Sequence, residues 1–130
     1  LSVLLDTTVL IDLLRGRPGT VERLMVHRRR GSVPCTTPIN VEEIHRGLRA
    51  SEHDAATRLF DGLRIVPLGR PEGARAGDWR RGHASTGITL TQADCLIAAA
   101  AVSIGVSLAT GNPKHFPMRE LSVEHWPVGE

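Results

Sequence analysis

Three acidic residues far apart in the chain, Asp6, Glu43 and Asp94, are placed where carboxylates can act together. Asp6 closes the apolar run 2–5, Glu43 lies in Asn40-Val41-Glu42-Glu43-Ile44, and Asp94 precedes the alanine-rich run 95–104. Each has an ordinary structural use. Asp6 can cap the helix that starts at Thr8. Glu43 can form a capping box with Asn40 or share a solvated face with Glu42, and Asp94 can pair with Thr91. What joins them is position: each falls at a strand end or in the first part of a helix, so all three can reach one rim. Like charges converging there would raise one another's pKa unless a cation neutralised them. A hard divalent ion suits oxygen ligands, and magnesium needs only one or two carboxylates plus water and phosphate oxygens. Two ions about 3.5–4 Å apart would clamp the attacking and leaving oxygens of a phosphodiester.

Other chemistries find less support. The six histidines, His27, His45, His53, His83, His115 and His125, include no pair three or four residues apart and no His-Glu-x-x-His motif, which argues against zinc. His45 lies close to Glu43 in sequence but is expected on the surface. Cys35 and Cys95 sit singly in apolar segments and read as buried thiols. No Gly-x-Ser-x-Gly elbow offers a nucleophile. A phosphotransferase built on Asp6 would want a second aspartate where Thr8 stands, and a receiver module would want paired acids that are absent.

The elements that must carry the acids follow from periodicity. Residues 2–5, 32–36, 64–68 and 106–109 read as buried strands, with an edge strand at 121–126. Between them the spacing predicts helices from about 8 until Gly16 and Pro18 close the first, and over 20–30, 38–49, 51–62, 71–83 and 93–104. Thr37 and Pro38 give an N-cap followed by proline at the first helical position, and Gly105 ends the last helix. Strands alternating with helices predict an α/β fold with a parallel sheet covered on both faces. Ligands of such sheets gather at the carboxyl ends of the strands, where Asp6 and Asn112 both fall.

The bulk composition sets bounds. A chain of 130 residues, 41% hydrophobic, has room for one domain, residues 1–130, with one core. The longest apolar stretch is too short for a membrane span, and the first residues lack the basic start of a signal peptide, so a cytoplasmic protein is expected. The net charge of +2 is compatible with a polyanionic partner. With Phe60, Phe116, Trp79 and Trp126 as its whole aromatic complement, the chain cannot bind single strands by a row of stacked bases. Charge and metal would do most of the holding. Arg15, Arg46, Arg80, Arg81 and the cluster Arg28, Arg29 and Arg30 are candidate phosphate contacts; that cluster also suits a helix C-terminus.

Four segments in order resemble one family. Residues 4–14, LLDTTVLIDLL, resemble the opening strand and helix of PIN-domain nucleases; Glu43 with Gly47 four positions on resembles their second motif. Asp94 opening residues 94–101 resembles the third, and residues 108–116, LATGNPKHF, the closing strand and turn. Order, spacing and length resemble the VapC toxins of bacterial toxin–antitoxin pairs. The resemblance implies a three-layer α/β/α fold with a central parallel sheet of four to five strands. It also implies magnesium-dependent cleavage of structured RNA such as tRNA or ribosomal RNA, with manganese as a substitute, and inhibition of translation and growth. A VapB-like antitoxin and a homodimer or toxin–antitoxin hetero-oligomer are implied as well. Residue by residue, Asp6, Glu43 and Asp94 match the family's acidic positions, and Thr110 matches a hydroxyl near the metal. Many members carry aspartate where this chain has Asn112, which adds no negative charge and brings a second metal ion into question. The alternative from another class is a PIN fold that binds RNA or a partner without cleaving.

Overall fold

A computed structural model describes residues 2–130. Five short parallel strands form the sheet: β1 (Val3–Leu5), β2 (Cys35–Thr36), β3 (Arg64–Ile65), β4 (Ser107–Thr110) and β5 (Val123–His125). Their order is β3-β2-β1-β4-β5. Six α-helices connect them: α1 (Thr7–Leu14), α2 (Pro18–Arg29), α3 (Pro38–Arg46), α4 (His53–Asp61), α5 (Arg70–Ala84) and α6 (Gln92–Ile104). Successive strands grow outward from β1 on one side, through β2 to β3, and on the other through β4 to β5. The crevice between the carboxyl ends of β1 and β4 is therefore the switch point of the topology.

The pleat divides the core. Leu4, Cys35 and Leu108 face one layer, made by Ala76 and Trp79 of α5 and by Cys95 and Ile97 through Ala101 of α6. Val3, Leu5 and Ala109 face the other, with Val9 and Leu10 of α1, Leu24 of α2 and Ile44 of α3. Leu4, Leu5 and Leu108 are fully buried, each stabilising the fold by about 1.5–3 kcal/mol. Alanine at positions 98–101 combines high helix propensity with a small side chain, so α6 packs closely without a bulky ridge. Both thiols are buried and unpaired in any disulfide, and burial pushes each above its ordinary value. Among the described residues no helix is long and apolar enough to cross a membrane.

The elements expected from periodicity are all present, with several boundaries moved. Pro18 opens α2 at its first position instead of closing α1, because a fixed φ suits a helix start. The strand expected over 32–36 is ordered only at Cys35–Thr36, and that over 64–68 only at Arg64–Ile65. Each is limited by its neighbour, since β2 has a single register partner on β1. The helix expected to reach residue 49 stops at Arg46, and a short 3-10 turn, Ala50–Glu52, precedes α4.

Candidate active site

Asp6 follows β1 directly and stands at the N-cap position of α1, yet its side chain makes no capping hydrogen bond to that helix. The carboxylate is instead held from the sheet side. Thr110, the last residue of β4, donates from Oγ1 to Asp6 Oδ2 at 2.7 Å, and the Asn112 N–H donates to Thr110 Oγ1 at 3.0 Å. The β1–β4 register, which pairs Leu5 with Ala109, sets Asp6 and Thr110 side by side on the same rim. Asp6 is only 6% exposed. Burial raises its pKa, the Thr110 hydroxyl and the Thr7 amide pull it down, and the negative charges of Asp94 and Glu43 raise it again. The charges of Asp94 and Glu43 thus reach Asp6 across the rim.

Glu43 comes from α3. That helix is fixed by a capping box between Thr37 and Asn40: the Ile39 and Asn40 amides donate to Thr37 Oγ1, and the Thr37 amide donates to Asn40 Oδ1. The capping partnership expected between Asn40 and Glu43 is not formed, because Asn40 is the third helical residue and reaches back to Thr37. Glu43 is left to accept a 2.6 Å hydrogen bond from Thr7 Oγ1, at the start of α1. Asp94 comes from the first turn of α6, where the helix dipole favours negative charge. Thr91 takes the Asp94 amide proton at 3.1 Å, so the capping pair is real but uses the backbone and leaves the carboxylate available. His115 Nδ1 lies 3.6 Å from Asp94 Oδ2.

Asn112 lies at the same strand end, exposed, with no side-chain cap bond. Two residues missed as contributors complete the rim: Asn40, fully buried beneath it, and Thr7. Asn40 Nδ2 donates to Thr7 Oγ1 at 3.0 Å and to Asp6 Oδ1 at 3.4 Å. The only advance signal for Asn40 was the Thr37-Pro38 helix start that puts it at the third position.

The arginines sort themselves. Arg46 pairs with Glu42, Arg81 with Asp78 and Arg29 with Glu22, while Arg80 donates to the Leu90 carbonyl. Arg15 and Arg49 instead border a groove of about 280 Å³ that begins at Glu43 and is floored by Ile11, Ile44 and Leu48. His45 is exposed and stacks on Phe60 with ring centroids 6.0 Å apart.

The donor set fits a hard divalent cation. Asp6, Asp94 and Glu43 offer carboxylate oxygens, and Thr110 adds a hydroxyl to the same rim. Among the described residues no three His, Cys, Asp or Glu side chains close onto a single point. An ion that needs only one or two carboxylates and completes its shell with water and phosphate matches that open arrangement.

Comparison with known proteins identifies the lineage of the fold. Residues 3–119 match the PIN domain family. Ribonuclease VapC10 of Mycobacterium tuberculosis is 34% identical over 122 residues, covering 91% of this chain and 88% of the relative. Ribonuclease VapC19 of the same organism is 31% identical over 119 residues, covering 88% and 92%. Among solved structures, VapBC2 from Rickettsia felis, bound to a promoter DNA fragment, superposes with a TM-score of 0.84 at 18% identity, covering 97% of this chain and 99% of the other. DNA-bound VapBC from Salmonella typhimurium gives 0.84 at 22% identity, covering 97% and 98%. The low identities carry the fold, and the family match and the two ribonucleases carry the lineage: the chain belongs to the PIN-domain family, among its VapC-type members.

Proposed function

We propose that this protein is the toxin of a toxin–antitoxin pair, a magnesium-dependent endoribonuclease that cuts structured RNA, tRNA or ribosomal RNA, in the cytoplasm and so inhibits translation. The observation that carries this reading is Asp6: a buried carboxylate at the sheet's switch point, with two further acids close enough to raise its pKa. Repulsion of that kind is relieved by a cation, and all-oxygen donors select a hard one; manganese would substitute.

A divalent ion bound there would polarise the scissile phosphate and acidify a water. Asp6 and Asp94 would hold it, with Glu43 at its edge. Thr110 and Asn40 keep the two Asp6 oxygens oriented. Glu43 Oε1 is engaged by Thr7, so its second oxygen is the one to orient the attacking water and take its proton. In-line attack by that water breaks the bond to the 3′-oxygen and leaves a 5′-phosphate and a 3′-hydroxyl. Arg15 and Arg49, on the groove beside Glu43, are placed to meet flanking phosphates.

The solved neighbours are VapBC complexes, and a second groove suits a partner of that kind here. It measures about 660 Å³, runs between α1, α2 and α4 over Leu14, Leu24 and Leu59, and is edged by Arg28, Arg29 and Arg58. An amphipathic antitoxin segment with acidic flanks would fit it.

One assay tests the nuclease: purified protein with total tRNA and ribosomal RNA, in magnesium and in chelator. Magnesium-dependent products that vanish with Asp94→Asn are expected. Equal cutting by that variant, or no magnesium-dependent product, would sink the nuclease reading, and no product at all would leave a PIN fold that binds RNA or a partner without cleaving. Activity surviving Asp6→Ala would expose a contaminant.

A further inference from the structure

Asn40 is fully buried, and every hydrogen-bonding capacity of its amide is used. Oδ1 accepts from the Thr37 amide at 3.2 Å and from Thr37 Oγ1 at 2.7 Å. Nδ2 donates to Asp6 Oδ1 at 3.4 Å and to Thr7 Oγ1 at 3.0 Å. The amide has one possible orientation, because a flipped one would set its NH2 group against the Thr37 N–H. Since Thr7 Oγ1 accepts from Asn40, its single proton goes to Glu43, and the 2.6 Å contact there is a donated bond. The chain of donors runs from one side chain to two acids on different elements: Asn40 to Asp6 directly, and Asn40 through Thr7 to Glu43. A helix cap alone would use Oδ1 and leave Nδ2 with no stake in the rim.

We propose that Asn40 is a positioning residue that ties Asp6 to Glu43 and thereby sets the affinity of the site for a divalent cation; this rests on the metal-dependent function proposed above. Uncharged donors orient carboxylate oxygens toward a shared ion without competing for it, which a lysine or arginine in the same place would do. Serine at position 40 is too short to span from Thr37 to Asp6 and Thr7. Valine at position 7 keeps the shape of threonine and removes only the relay to Glu43.

The test is Mn2+ binding to the full chain in the absence of RNA, followed by the paramagnetic signal of unbound ion, with thermal melting to establish folding. Asn40→Ser is expected to weaken Mn2+ binding about tenfold or more, and Thr7→Val about threefold. Because Thr7 passes on what Asn40 holds, the double variant should bind about as weakly as Asn40→Ser alone and not at the product of the two losses. A purely structural Asn40 would lower the melting temperature and leave the dissociation constant of the folded protein unchanged. Folded single variants that bind within about twofold of the parent would overturn the proposal. Should Asn40→Ser fail to fold, Thr7→Val decides it in the same way. A parent protein that binds no Mn2+ would overturn the metal-dependent function itself, and this proposal with it.

Discussion

The Thr110 hydroxyl donates a 2.7 Å hydrogen bond to Oδ2 of Asp6 across 104 residues of chain. It is a charge-assisted bond in a buried place, where a carboxylate without donors is costly. Thr110→Val keeps the shape and removes the donor, so the Asp6 pKa should rise further above its present raised position. In the proposed mechanism ionised Asp6 is the working form, so the acidic limb of the pH profile of kcat/KM should move to higher pH. At the parent's optimum we expect a loss of about tenfold or more. An unshifted limb would contradict the role given to Thr110.

Asp6 itself carries a stability signature in the absence of metal. Burial raises its pKa above the ordinary 3.8, so the folded state takes up a proton more readily than the unfolded one. The stabilising contribution is complete below pH 3.8 and is lost as pH rises through the raised folded value. At neutral pH the ionised group opposes folding. Asp6→Asn keeps an acceptor for Thr110 but turns an NH2 group toward Asn40 Nδ2 at either pH, so its melting temperature relative to the parent should be a few degrees higher at pH 7 in chelator than at pH 4. Divalent cation should narrow the gap at pH 7 by stabilising only the parent. Melting curves at the two pH values decide it.

Asn112 stands exposed at the strand end beside Thr110. Asn112→Asp adds a fourth carboxylate to the rim and should tighten Mn2+ binding severalfold, with a second ion bound at millimolar metal. Calorimetric titration of parent and variant should show the difference, and superimposable isotherms would remove Asn112 from the site.

Gly111 sits in a tight place. A Cβ there would run into Val128 Cγ2 and press within 3.3 Å of both Thr8 Oγ1 and the Trp126 carbonyl. Its N–H donates to Thr8 Oγ1 at 2.9 Å. Gly111→Ala should cost about 1–3 kcal/mol in denaturant unfolding. Val128→Ala should recover part of that loss, since Val128 is exposed and gives the closest contact.

The caps at Thr37 and Thr91 and the stop at Gly105 were legible in the sequence because they rest on local chemistry. Thr91 and Gly105 bound α6 as their residue types dictate, Gly105 with a left-handed φ of 70°. That Asp94 and Glu43 come near Asp6 was legible too, since each acid falls at a strand end or early in a helix. Asn40 was not. Its partners Asp6 and Thr7 lie 34 and 33 residues away, and a single buried amide leaves no periodic trace. Likewise β2 and β3 are shorter than their apolar runs suggest, because pairing depends on a neighbour and not on the run itself. The basic cluster after His27 illustrates the reverse. His27 bonds Glu124 on β5 and Arg29 pairs with Glu22, so part of an apparent RNA patch is accounted for within the fold.

The strand order has a consequence for how the protein is made. β1 is synthesised first but is flanked by β4, whose last residue supplies the donor to Asp6. A growing chain that has not yet delivered Thr110 to the folding compartment lacks the hydrogen bond that orients Asp6, and before Asp94 it lacks the third acid as well. The complete site therefore forms only after the chain from β1 through β4 has left the ribosome. A molecule proposed to cut RNA thus lacks its site while it is being threaded out, until Thr110 has emerged and settled beside Asp6.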